Sequence, residues 1–341
     1  MCCRNPYLSS LVHSIEHRFF DSETLGYWEA RNLKERVEFP LRNMRSQLQE
    51  IVDRNGFLRV TKLSLLTPDI EIAGMLLRGL CPQLELLRIH SGEFEYLPFR
   101  QVTGLPSKLR ELEIGIYYES IFSVHGYTAQ ERALRQMHMD VNAFLVSSAS
   151  LRVLRIAGVR GLGELIEGVT LPHLHTLETD LPFSDCPDRT AECVASFLDR
   201  NLSLSRLAMC YLPDQEEEPI SSIPPASNAG IRELISFIGE VSIDYLFFLR
   251  GFTHISTFKL KYGSYEGKIL LTDLLEVIRH LHGSQLGVKQ LLLPMPSENR
   301  EEIGLTRDEL LHFGMAFKDN LPAVEVFGIC QVGKFWKLEA V

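Results

Sequence analysis

At 341 residues, 45% hydrophobic and 23% charged, the chain has the composition of a folded protein with room for a large core, not of a disordered one. A net charge of −9 argues against a nucleic-acid surface, which needs a concentrated basic patch, and a short run such as Lys259-Leu-Lys261 does not reverse that. No apolar run approaches the roughly 20 residues of a membrane span, and adjacent Cys2 and Cys3 lack the amphipathic or polybasic companion that a lipid anchor needs.

Residues 1–59 read as an atypical repeat and N-terminal cap, with a helix over 41–54 whose Leu41, Met44, Leu48, Ile51 and Val52 share one face. From residue 60 to 341 a six-residue phrase returns: apolar, two variable positions, apolar, variable, apolar. It stands at Val60/Leu63/Leu65, Leu84/Leu87/Ile89, Leu109/Leu112/Ile114, Leu151/Leu154/Ile156 and Leu174/Leu177/Thr179. Four more copies follow at Leu204/Leu207/Met209, Ile255/Phe258/Leu260, Val288/Leu291/Leu293 and Val324/Phe327/Ile329. Of these 27 anchors only Thr179 is polar, where the overall composition would make about half of them polar by chance. Each phrase predicts a short strand with its anchors turned to a shared core.

Between phrases the apolar period lengthens to that of a helix. Residues 70–80 predict one, with Ile70, Ala73, Leu76, Leu77 and Leu80 inside; Cys81-Pro82 ends it, because proline disfavours helix before it. Thr128-Ala-Gln-Glu131 is a capping box that opens a helix to about residue 147, with Leu134, Met137, Val141, Phe144 and Leu145 inside. Further helices are expected at 188–200, 229–240, 271–282 and, behind a second box Thr306-Arg-Asp-Glu309, at 306–319. The first anchors lie 24, 25, 42, 23, 30, 51, 33 and 36 residues apart, and Ile243/Leu246/Phe248 is the candidate for a strand inside the longest gap. Residues 212–228 hold an acidic, proline-rich stretch from Pro213 to Asn228, read as a mobile solvated insertion, with an acidic docking tag as the alternative. Strands and helices alternating at this spacing stack as right-handed βα units around a parallel sheet.

Seven scattered cysteines (Cys2, Cys3, Cys81, Cys186, Cys193, Cys210 and Cys330) read as the reduced thiols of a cytoplasmic or nuclear protein. Cys186 and Cys193 fit no zinc-knuckle spacing and read as a loop residue and a buried helix residue. Asn201-Leu-Ser203 matches a glycosylation sequon but falls where a helix should end. His173-Leu-His175 would share one side of a strand, as two metal ligands do, yet both flank the anchor Leu174; His280 and His282 fall near a helix C-terminus, where a histidine is favourable without any ligand. No nucleophile elbow, phosphate loop or dinucleotide fingerprint is present, and no cofactor or metal is expected.

The variable positions of each phrase point away from the core and form the recognition surface of a stacked-repeat protein. On that concave face the candidate partner-binding residues are Arg88, His90, Glu111, Glu113, Arg155, Glu178, Asp180, Arg206, Lys259 and Lys261. Their signs alternate from strand to strand, which serves either to read a partner or to pair neighbouring strands. The last copies are less polar (Leu292, Pro294, Val326), a contact patch or a surface for the tail at Phe335-Trp336 to cover.

Across residues 60–330 the nine phrases resemble the leucine-rich repeat family, which implies an irregular α/β solenoid: a curved parallel sheet with helices on its outer face. The family's asparagine or cysteine beyond the strand is replaced here by Pro68, Gly92, Tyr117, Val159, Pro182 and Leu212, so no asparagine ladder is expected. In this the chain looks like the degenerate repeats of fungal F-box/leucine-rich-repeat proteins, and Asn5 to Ile15 looks like the segment that follows the F-box there. The resemblance implies a substrate receptor of a ubiquitin ligase, binding a Skp-type adaptor only if an F-box lies upstream. The expected function is a non-enzymatic protein-interaction scaffold, with no nucleic-acid or membrane partner. The alternative is an enzyme or a metal- or ligand-binding protein with its site near His173/His175 or the 211–230 loop.

Overall fold

A computed structural model describes residues 13–18, 45–50, 53, 59–66, 70–80, 83–91, 107–116, 127–157, 162–182, 187–212, 230–238, 254–262, 288–294, 315, 325–331 and 334–339. Internal contacts divide the chain into two compact units, Met1–Gly158 and Val159–Val341.

In the first unit, strands β1 (Ser14–Arg18), β2 (Lys62–Leu66), β3 (Leu86–Ser91), β4 (Glu111–Ile116) and β5 (Val153–Ala157) lie side by side in chain order. All are parallel, and from β2 onward phrase matches phrase. Leu63, Leu87, Leu112 and Leu154 form one row and Leu65, Ile89, Ile114 and Ile156 the next. Together with the first anchors Val60, Leu84, Leu109 and Leu151, no member of these rows is more than 1% exposed. Burying each such side chain contributes about 1.5–3 kcal/mol. Helix α1 (Ile70–Leu80) joins β2 to β3 and buries Ile72, Ala73, Leu76, Leu77 and Leu80, while Glu71 and Arg78 face water. Helix α2 (Tyr127–Val146) joins β4 to β5 and buries Met137, Val141, Phe144 and Leu145. Both helices start and stop within a residue of where periodicity and capping place them. Residues 45–50 are helical, inside the predicted 41–54.

A backbone device repeats at the start of eight strands, β2 to β5 in this unit and β7 to β10 in the second. The carbonyl one residue past the first anchor accepts two N–H groups from the next repeat. Glu85 O takes those of Arg110 (2.8 Å) and Glu111 (3.0 Å), and Arg110 O takes those of Arg152 (2.8 Å) and Val153 (2.9 Å). In the second unit His175 O serves Ser205 and Arg206, and Arg232 O serves Ser256 and Thr257. Serine hydroxyls reinforce this rim, Ser150 donating to Leu109 O at 2.9 Å and Ser203 to Leu174 O at 2.9 Å.

The second unit continues the pattern through β6 (Thr176–Pro182), β7 (Arg206–Leu212), β8 (Glu233–Ile238), β9 (Thr257–Tyr262), β10 (Gln290–Pro294) and β11 (Val326–Gln331). These six are parallel neighbours in chain order. The tail forms β12 (Lys334–Glu339), antiparallel to β11, with Trp336 opposite Ile329. Helix α3 (Leu162–Ile166), which the sequence did not predict, packs on α4 (Pro187–Arg200), and Pro187 at its start needs no N–H partner there. Among the described residues no helix is long and apolar enough to cross a membrane.

One expectation is overturned. Residues 233–238 form β8, not part of a helix over 229–240. Ile231, Leu234, Ile235, Phe237 and Ile238 fit a helical face as well as a strand, but they are β-branched or aromatic apart from Leu234. Ladders to both β7 and β9 settle it, and Ile231 and Leu234 are buried anchors. The phrase here is Ile231/Leu234/Ser236, so the 51-residue gap resolves into 27 and 24. Ile243, Leu246 and Phe248, the predicted insertion at 212–228 apart from Leu212 of β7, and the predicted helix at 271–282 lie outside the described residues, as does all of 306–319 except the helical Met315.

Asn201 ends α4 fully buried, and its side chain bonds in both directions. Nδ2 donates to Phe197 O at 2.7 Å, and Oδ1 accepts the N–H of Leu171, thirty residues earlier, at 2.6 Å. It therefore stitches one repeat to the next, at a turn rather than at the position where the family's asparagine stands. The sequon nitrogen is committed to this bond, which leaves no room for a glycan. Replacing Asn201 by alanine leaves the buried Leu171 N–H unpaired, while Phe197 O keeps the backbone N–H of residue 201 at 3.2 Å, and should cost about 1–3 kcal/mol in urea unfolding; a loss under about 0.5 kcal/mol would show that the stitch is not needed.

Candidate functional site

The predicted binding residues sit on the strand positions that face away from the buried anchors, and each unit assembles its own group. In the first unit register places Arg88, Glu113 and Arg155 directly opposite one another on β3, β4 and β5. Arg88 Nε lies 3.1 Å from Glu113 Oε2, and Arg155 lies 3.9 Å from Glu113 and 3.7 Å from Glu111. His90 donates from Nε2 to Glu113 Oε1 at 2.9 Å. Glu113 thus receives three cationic or donor groups while its side chain is only 24% exposed, against 47% for Arg88. Exposed pairs of this kind contribute little each, about 0.2–1 kcal/mol, but together they fix the direction of every side chain in the row.

Gly115 leaves room for the histidine contact. It is buried opposite His90, and a Cβ there would stand 3.0 Å from the His90 ring nitrogen Nδ1. A side chain there would crowd the imidazole that lies across β4 to reach Glu113.

In the second unit Arg206 lies 3.7 Å from Glu233, its register partner on β8, and Lys259 of β9 is hydrogen-bonded to the same carboxylate. Glu233 was missed because its segment reads as helix. The available signal was the phrase itself, with a polar third anchor as at Thr179. Glu178 is half-buried on β6 and has a polar partner of its own. Asp180 and Lys261 belong to β6 and β9, but their side chains lie outside the description. Outward positions are not uniformly open, since Ala208 is 1% exposed.

His173 and His175 are exposed residues of the turn before β6, not a pair along a strand, and His175 donates from Nδ1 to Ser203 O at 3.2 Å. Among the described residues no three His, Cys, Asp or Glu side chains are grouped to hold a metal ion. Cys193 is a half-buried cysteine on α4.

The Glu113 cluster yields a direct check. Gly115→Ala should push the His90 ring off Glu113 and cost about 1 kcal/mol or more. In a His90→Ala background that cost should largely disappear; equal costs in both backgrounds would show that the glycine serves something else.

No protein-family model matches the chain, and no curated protein matches it. Among solved structures it is similar to the leucine-rich repeat-containing protein LegL7 from Legionella pneumophila, at 12% identity and a TM-score of 0.47, over 81% of this chain and 85% of that one. The fold stands on its own geometry. Both units are α/β, built as an irregular leucine-rich-repeat solenoid from parallel strands whose anchors are buried in register.

Proposed function

We propose that the chain is a non-enzymatic protein-interaction scaffold that binds its partner on the outward strand face. The observation that carries this reading is the row Arg88–Glu113–Arg155, three strands deep and oriented by mutual ion pairs before any partner arrives. Side chains held in place lose little conformational freedom on binding, and alternating charge discriminates among partners more than it adds affinity. His90, Glu111, Glu178, Asp180, Arg206, Lys259 and Lys261 extend the proposed surface within their own units.

The finer reading is a substrate receptor of a ubiquitin ligase in cytoplasm or nucleus. It rests on the likeness of the degenerate repeats to those of fungal F-box proteins, and a Skp-type adaptor would join only through an F-box upstream. In the corresponding layout residues 1–59 cap the stack, 60–341 form the repeats and 212–228 are an insertion.

Inverting the row tests the surface without emptying it. The variant Arg88→Glu/Glu111→Arg/Glu113→Arg/Arg155→Glu keeps the Arg–Glu pairs with each sign reversed and gives up only the His90 contact to Glu113, and its melting temperature should stay within about 3 °C of the wild type. Recovery of specific partners, read by quantitative mass spectrometry after affinity capture, should fall about tenfold or more. An unchanged set of captured proteins would remove this face from the binding site.

A further inference from the structure

Two groups of cations in the first unit differ in their partners. Those on the outward face, Arg88 and Arg155, are ion-paired. Those along the rim where the chain runs into its strands are not: Arg59, Lys108, Arg110 and Arg152 are all exposed, and among the described residues none has an ion-pair partner. The only acid at the equivalent rim positions is Glu85. Lys108 and Arg110 flank the buried anchor Leu109, so both turn away from the core. Arg110 and Arg152 occupy successive rungs, since the Arg110 carbonyl accepts the Arg152 N–H at 2.8 Å, and their backbones stand roughly 5 Å apart. Like charges that close repel each other, so an anion that bridges them gains what the rim lacks by itself.

The charge balance of the units allows a local positive field here. Met1–Gly158 carries 19 Lys and Arg against 18 Asp and Glu, leaving 16 against 26 for Val159–Val341. The negative balance of the chain therefore belongs to the second unit. Screening confines each cluster's influence to about 8–10 Å at moderate salt, so the rim acts on whatever touches it.

We infer that this rim, centred on Lys108, Arg110 and Arg152, is a docking strip for an acidic segment of a protein partner. The inference rests on the reading of the chain as a protein-binding scaffold and names the partner's chemistry: a run of Asp or Glu side chains spaced to meet cations on adjacent repeats. A peptide fits better than a nucleic acid because the strip is short and, among the described residues, shows no interleaved aromatic side chains for bases to stack on.

The test uses the full-length chain and a fluorescein-labelled deca-glutamate peptide, followed by anisotropy. Lys108→Glu/Arg110→Glu/Arg152→Glu should weaken binding about tenfold or more, whereas Arg88→Gln/Arg155→Gln should change it less than about twofold. The milder Lys108→Gln/Arg110→Gln/Arg152→Gln guards against misfolding and should weaken binding by an intermediate factor. Affinity should also fall between about 50 and 300 mM salt. Wild-type affinity in both rim variants overturns the inference. So does a single-stranded oligonucleotide of equal charge that binds through the same three residues more tightly than the peptide. The inverted face row separates the two readings. Loss of partner capture in that variant with peptide binding intact supports face and rim alike, while rim variants that still bind peptide sink the strip and leave the face untouched.

Discussion

Three rows of apolar anchors on one side of each ladder must be buried together, and strand register is the only way to do it. A slip of one residue along any strand would carry its anchors to the solvent side and its charges to the core. The doubled hydrogen bond at the start of most strands holds the same register from the backbone, because one carbonyl receives two successive N–H groups of the next repeat. Side-chain burial and backbone geometry therefore select the same alignment, and such agreement between levels favours a single native structure.

Fixed register turns a sequence pattern into a surface. Once Leu87 sits beside Leu112 and Leu154, Arg88 can only sit beside Glu113, and Glu113 beside Arg155. The face charges satisfy one another and gain direction at the expense of open charge. The rim charges, one step outside the ladder, have no such neighbours. The same repeat thus produces a neutralised, oriented face and an unneutralised rim, and a partner would meet the two differently: shape and charge order on the first, plain attraction on the second.

The exceptions are local repairs of the repeat. Thr179 occupies a third-anchor position where the core accepts a polar group, and it is buried with a partner of its own. Gly115 gives up a side chain so that His90 can cross the strand. Asn201 closes a turn whose N–H from the previous repeat would otherwise be orphaned. Gly168, at φ 70° just past α3, takes the left-handed conformation that ends a short helix. Each is a single residue with a short-range task, which is why none stands out in a scan for periodicity.

Periodicity alone determined the strand phrases, the helices at 70–80, 127–146 and 187–200, and the alternation of charge across the strands, because burial on one face imposes a spacing that survives in the amino-acid order. It could not distinguish β8 from a helix, since the apolar positions of Ile231 to Ile238 satisfy both periods and only pairing with strands on either side decides. Nor could it show which charges neutralise each other: that depends on residues brought together from 23 to 44 positions apart. The cross-repeat bond of Asn201 and the unpaired state of Lys108, Arg110 and Arg152 were likewise tertiary outcomes, because a side chain's partners come from the neighbouring repeat and not from its own.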